Sequence, residues 1–418
     1  MATGIKIKND VFFKKVKIAV LLAVSATIPT KWVNLNSYFI IILTLLWLVE
    51  VFIYKAKINF NFKILFIFVS FFFLTLISTL YSSNLVPLIS KAETRLAMLA
   101  LPLILLGVGD VDEKVLKLIL KAFVISCTII SLICIVSTFY SNFTHGNMYQ
   151  TTNNWLYSSD NLIKEFGFHP NYFSIYCAFS VFILFFLVKE KELQKWISLI
   201  LIPYFCIVQL LLASRVGIIS FIILFILTVI YEGYLKKRLL LGILISFSFF
   251  LIIVLLGLSS QTVKDKFDAL FNRNIHKYNE PFRVNKRGIQ WNSATQVFLK
   301  SPLIGVGTGD MQDELQKVYL EKRFKEGYEY QYNPHNLFLD SAASLGLLGV
   351  LSNLLLFGIS FYISFLKRNI LYLQFLILFL LISLVESTFS VQKGVVFFFF
   401  FNTIFFSYLT NSRRNQPQ

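Results

Sequence analysis

The stretch WISLILIPYFCIVQLLLASRVGIISFIILFILTVI, residues 196–230, holds one charged side chain, Arg215, between two apolar runs. Each run is close to the roughly 20 residues that a helix needs to cross the hydrocarbon core. The runs are continuous. A barrel strand would alternate apolar and polar residues over about 10 positions. Lipid offers the backbone no hydrogen bonds, so continuous apolar segments must be helices. The rest of the chain has the same texture. It has 418 residues, 56% of them hydrophobic and 46 of them phenylalanine, with a mean hydropathy of +0.70. That composition excludes an ordinary soluble domain.

The expected fold class is an all-α polytopic membrane protein. Twelve spans are read near 16–30, 37–54, 62–81, 94–109, 114–140, 169–188, 196–213, 215–234, 238–258, 336–365, 370–385 and 394–411. The first has no small-residue cleavage site behind it and is expected to be retained. Cys127, Cys134, Cys177 and Cys206 all lie inside spans, without disulfide or metal-ligand spacing, and are expected to be small buried hydrophobes. The five-phenylalanine run 397–401 is expected to face lipid.

The net charge of +17 raises the question of nucleic acid, but its distribution answers it. With the N-terminus in the cytoplasm, the even-numbered loops and both termini carry most of the lysines and arginines. That is the positive-inside pattern. The basic excess is therefore a topology signal, and no nucleic-acid partner is expected. Both termini are placed in the cytoplasm.

Two polar segments, Ser141–Phe168 and Ser259–Asn333, fall outside by the same parity. The second is far longer than a helix connection needs. Amphipathic spacing at Val263–Phe271, Gln290–Leu299 and Met311–Phe324 predicts short surface helices there. The expected organisation is nine spans in 1–258, a large outer loop in 259–335 and three spans in 336–418.

Charge at a membrane boundary is costly and usually functional or paired. Arg95 opens the fourth span, Arg215 the eighth, His169 the sixth and His335 the tenth, while Arg283 and Arg287 lie in the large loop. All land on the outer side. Each also has a structural alternative. Arg95 can snorkel to headgroups, Arg283 and Arg287 can simply keep a loop soluble, and the histidines can be incidental to two helix starts. His-Pro-Asn at 169–171 and Pro-His-Asn at 334–336 are suited to helix starts, with Asn as a cap and Pro in a first turn. Trp291, four residues after Arg287, is placed to stack on it or to anchor at the interface. Guanidinium forks match phosphate oxygens, and a nearby imidazole suits a general base on a hydroxyl. The combination fits transfer of a glycan from a lipid diphosphate.

Three other features have duller readings. Asp110-Val111-Asp112 is read as a loop or helix cap rather than a nucleotide-sugar metal motif. Gly305-Val306-Gly307-Thr308-Gly309 lacks the preceding strand of a phosphate cradle and is read as a flexible turn. Glu386 and Lys393 pair with each other or line the cavity.

The ordered set SRVG (214–217), KRGIQWNSATQVFLKSPLIGVGTGD (286–310) and NPHNLFLDSAASLGLLGVL (333–351) resembles the O-antigen ligase and polymerase family of bacterial membrane glycosyltransferases. The resemblance is best in the second half of the chain. It implies a helical fold of the membrane glycosyltransferase (GT-C-like) type in the bacterial inner membrane, working on the periplasmic face without cofactor or metal. The implied donor is an undecaprenyl-diphosphate-linked glycan. The implied acceptor is lipid A core for a ligase or a second lipid-linked glycan for a polymerase, with the ligase preferred. Arg215 and Arg287 match the diphosphate-binding arginines, and His335 matches the histidine that activates the acceptor. Arg95, Arg283, His169, Trp291 and Asn336 are carried as substrate-binding candidates. A lipid-linked glycan transporter is the alternative from another class, and it would hold its polar residues near the midplane. A scaffold for polysaccharide assembly is a third.

Overall fold

The computed structural model describes residues 2–56, 58, 60–108, 111–144, 170–212, 214–235, 237, 240 and 286–411. Among them the secondary structure is helical: α1 Ala2–Thr27, α2 Val33–Phe52, α3 Phe62–Ile77, α4 Leu85–Arg95, α5 Ala97–Val108, α6 Glu113–Thr144, α7 Pro170–Lys189, α8 Lys195–Leu212, α9 Arg215–Leu235, α10 Lys286–Lys300, α11 Met311–Glu321, α12 Lys325–Glu329, α13 Leu337–Leu366, α14 Ile370–Ser383 and α15 Gln392–Asn411. Eight of the described helices are long and apolar enough to cross a membrane. The chain is a multi-pass membrane protein. Eleven of the twelve expected spans coincide with helices; the remaining one, 238–258, lies outside the described residues except at Leu240. At about 1.5 Å per residue, α5 and α14 are too short to cross by themselves. The segment expected at 94–109 is interrupted at Leu96, which leaves Arg95 on α4 and the apolar part on α5.

The chain divides into two units, residues 1–125 with 284–418, and residues 126–283. In the second unit α7 is buried on nearly every face, and α8 and α9 pack on it. Gly217 makes the α9 approach possible, because a Cβ there would sit 1.8 Å from Ser174 Oγ. Gln209 on α8 donates to the Ser174 carbonyl at 3.0 Å, which satisfies a polar side chain in an apolar setting. The four cysteines are free, and all but the half-buried Cys206 are buried, as their apolar contexts predict.

In the first unit α15 runs between α5, α13 and α14. Phe397–Phe401 are each at most 1% exposed, so the expectation that this run faces lipid is overturned. Consecutive residues step around the helix axis by about 100°, so five phenylalanines cover all its faces. A helix that is apolar all round is placed inside. Phe375 and Phe379 of α14 interleave with the run, and the Phe379 and Phe398 rings lie 4.5 Å apart.

Four connections of this unit meet at one end. Lys393 at the start of α15 donates to the Ile28 and Thr30 carbonyls after α1. Gln392 reaches Ser37 on α2 at 2.5 Å. The end of α3 bonds the segment before α11, and the start of α13 bonds the α14–α15 connection. The candidate chemistry of this unit lies there.

Candidate functional site

The Pro302–Asp310 segment sets the frame. α13 is two helices joined at Gly346, where φ is 63° and ψ is −155°. That conformation is open to glycine alone. The segment fits into the break. Val306 N–H donates to the Ala343 carbonyl at 3.1 Å and Gly307 N–H to Ser344 at 3.0 Å, while Leu347 N–H returns to Pro302 at 2.8 Å. A Cβ on Gly305 or Gly346 would lie 2.4 Å from backbone atoms across the joint. Asp310 then accepts from the Ser83 and Asn84 N–H groups at 2.7 Å each, at the start of α4. Instead of a flexible turn, the glycine segment is a splice pinned on both sides. Its amides are taken up within the protein: those of Val306 and Gly307 by α13, and those of Thr308 and Gly309 by the Ser78 and Ser82 hydroxyls.

The splice holds Leu337–Leu345 as a short helix distinct from the roughly 20 residues of α13 that follow, enough to cross the bilayer. Asn336 caps it, accepting from the Phe338 and Leu339 N–H groups at 2.9 and 3.0 Å. The Asn336 amide also donates to the Leu384 carbonyl at 2.8 Å, which fixes the connection after α14. His335, just before the cap, has φ of 46°, and its own N–H donates to Asn333 at 2.9 Å. A left-handed non-glycine residue is strained and persists when its surroundings over-determine it. The strain turns the imidazole toward Glu386, with Nδ1 3.1 Å from Oε2. The carboxylate accepts, so it selects the tautomer with hydrogen on Nδ1 and leaves Nε2 with a free lone pair. Glu386 is 7% exposed and His335 27%, so the imidazole is the partner that reaches solvent. Glu386 thus pairs with His335, while the Lys393 ammonium donates to the Ile28 and Thr30 carbonyls.

One turn further along, Asp340 is buried and accepts Ser390 Oγ at 3.1 Å on both oxygens. Lys91 donates to the Ser390 carbonyl at 3.3 Å. Burial lowers the Lys91 ammonium from its ordinary value; Asp340 opposes that and Arg95 reinforces it. Arg95 is 1% exposed. It donates to the Phe389 carbonyl at 3.1 Å and Thr75 Oγ1 at 2.8 Å, and its guanidinium lies 4.9 Å from the centre of the Phe71 ring. Arg95, a candidate for substrate binding, points inward here and braces the 386–391 connection that carries Glu386.

α10 supplies Arg287 and Trp291, four residues apart and both exposed on one face. Ala294 and Val297 of the same helix join a core with Met311, Leu315, Val318, Tyr319 and Phe324. Lys286 pairs with Glu326 at 2.5 Å, and Tyr332 donates to the same carboxylate oxygen at 2.8 Å. The Tyr332 ring meets His335 edge-on, with centroids 6.4 Å apart. This chain of contacts ties the start of α10, and Arg287 with it, to the segment that bears His335.

In the other unit, Arg215 is exposed as the first residue of α9. Ser214 caps that helix, accepting from Gly217 N–H at 3.1 Å and donating to Asn171 at 2.7 Å. The Asn of the His-Pro-Asn motif thus positions the start that presents Arg215. His169 itself and Arg283 lie outside the described residues. Asp112 accepts from Val115 N–H at 2.8 Å, a cap as expected.

Asp340 and Ser390 were not selected from sequence, and Glu386 was noted without its histidine partner. The available signal was the rarity of carboxylates beside apolar spans, but it names no partner. Residues 198–354 match the family model described as O-antigen ligase, a range that includes Arg215, Arg287, the glycine splice and His335. No curated protein matches the chain.

Proposed function

We propose, from the match of residues 198–354 to the family model described as O-antigen ligase, that the chain transfers a glycan from a lipid-linked diphosphate to an acceptor hydroxyl. The His335–Glu386 pair carries the reading. The acceptor oxygen attacks the anomeric carbon as its proton passes to His335 Nε2. The bond from that carbon to the diphosphate oxygen breaks, and the diphosphate leaves with the electron pair. Glu386 balances the imidazolium that forms. Arg215 and Arg287 take up the charge of the leaving diphosphate. Asn336 and Arg95 hold the connection that carries Glu386.

The donor in this reading is an undecaprenyl-diphosphate-linked glycan, met on the periplasmic face of the bacterial inner membrane, with both termini cytoplasmic. Lipid A core is the preferred acceptor and makes the protein a ligase; a second lipid-linked glycan would make it a polymerase. No metal enters this mechanism. Turnover that chelator abolished and metal restored would count against that. In membranes supplied with lipid-linked donor, His335→Ala is expected to lose about 10²–10⁴-fold in rate, the usual range for general acid–base catalysis. Wild-type turnover would overturn the assignment. Surface glycan from a deletion strain separates the two acceptors. Core without polymer, with polymer retained on its carrier, means ligase; core bearing one repeat means polymerase.

A further inference from the structure

Residues Tyr328–His335 form a built surface beside the proposed base. Tyr332 packs one side on the α10–α11 core and stacks on Tyr330, with ring centroids 5.9 Å apart and planes at 17°. Tyr330 is 69% exposed. The backbone that presents it is fixed. Gln312 donates to the Gln331 and Tyr332 carbonyls at 3.1 and 3.4 Å, and Tyr319 donates to the Tyr332 carbonyl at 3.2 Å. Gln331 sits between the tyrosines with φ of 48°, so the chain accepts strain here, as it does at His335. Tyr330 and Tyr332, on either side of it, place their rings on the same side of this segment.

The result is a two-ring stack, anchored through Tyr332 and open through Tyr330, whose inner ring contacts His335. Rigid aromatic faces with a polar tip give large contact area at low entropic cost. A pyranose ring is the matching surface, because its axial C–H bonds form an apolar face while its hydroxyls remain solvated at the edge. We infer that Tyr330 and Tyr332 form a stacking platform for a sugar ring of one of the two glycan substrates, next to the reacting centre. This inference rests on the proposed glycan transfer and adds a subsite to it. Tyr330 acts by binding rather than by chemistry, so its loss reads in affinity.

The test uses the full chain in membranes, with the host's own lipid-linked glycan and its acceptor glycan varied separately. Tyr330→Ala is expected to raise the KM for one of them about 10-fold while kcat falls less than roughly threefold, the signature of lost ground-state binding. The substrate whose KM moves identifies the platform's ligand as donor or acceptor. Tyr330→Phe keeps the ring and is expected to recover most of the lost affinity. Unchanged KM values for both substrates in Tyr330→Ala would overturn the platform, as would a Tyr330→Phe variant as impaired as Tyr330→Ala. His335→Ala run in parallel separates the two claims. If it keeps full turnover, the transfer reading fails. If it is inactive while Tyr330→Ala binds normally, only the platform fails.

Discussion

Two helix starts carry the candidate chemistry, Ser214–Gly217 on α9 and Asn333–Leu337 on α13, and they differ in what they do with the reactive side chain. Both have a short polar cap whose side chain also grips a distant segment. Ser214 holds Asn171, and Asn336 holds the Leu384 carbonyl. Arg215 follows its cap and stands exposed. His335 precedes its cap and is clasped by Glu386. The difference follows the chemistry each group can do. A guanidinium stays charged at any relevant pH and needs only access to an anion. An imidazole works as a base only in the correct tautomer and direction, so it needs a partner.

The comparison can be broken at its strongest point first. Arg215→Ala is expected to lower turnover about 10²–10³-fold, the usual cost of removing one preorganised donor to a developing negative charge. If the rate in the membrane transfer assay stayed at wild type, the exposed arginine would have no part in the reaction. Glu386→Gln keeps the shape but not the charge. It is expected to cost about 10- to 100-fold in kcat, as for other groups that orient a histidine from behind, and to change the pH profile of kcat while KM moves little. A change confined to protein yield would mean that Glu386 only supports the fold.

The caps come next. Ser214→Ala is expected to cost about 1 kcal/mol in thermal or denaturant stability. Asn336→Ala is expected to cost more, because the Leu384 carbonyl loses its donor as well, and it should also slow turnover by loosening Glu386. Equal losses at the two caps would remove the proposed asymmetry. The smallest effect concerns the tether of α10. The Lys286 ammonium, and then the Tyr332 hydroxyl, hold the Glu326 carboxyl below its ordinary 4.5. A carboxylate with a depressed folded-state value contributes above the unfolded value and loses that contribution as pH falls through the folded one. Protection from hydrogen exchange at the start of α10 is therefore expected to fall as the pH drops below the ordinary carboxylate range, and Glu326→Gln is expected to give the same fall at neutral pH.

Much of this site is legible in the sequence because caps and spans are local. Asn336 and Asp112 bond amides two or three residues away, so their roles follow from position. His335 stands out as a rare histidine on a seam between polar and apolar chain. Its partner is 51 residues further on, and nothing near Glu386 points back to it. Arg95 shows the opposite case. Its place at a boundary invited a substrate role, but the backbone after α14 turns back over it and takes its hydrogen bonds.

Composition and periodicity by themselves determined an all-helical membrane chain, because unbroken apolar runs admit no other way to satisfy the backbone in lipid. They also determined where most of its helices begin. Only the tertiary structure decided that Phe397–Phe401 fill the interior, since a helix apolar on every side carries no mark of which neighbours will surround it. It also decided that the glycine segment serves as a splice. Positive φ at Gly305 and Gly346 is a local property, but the hydrogen bonds joining Pro302–Gly307 to Ala343–Leu347 exist only after the chain has crossed some forty residues and returned.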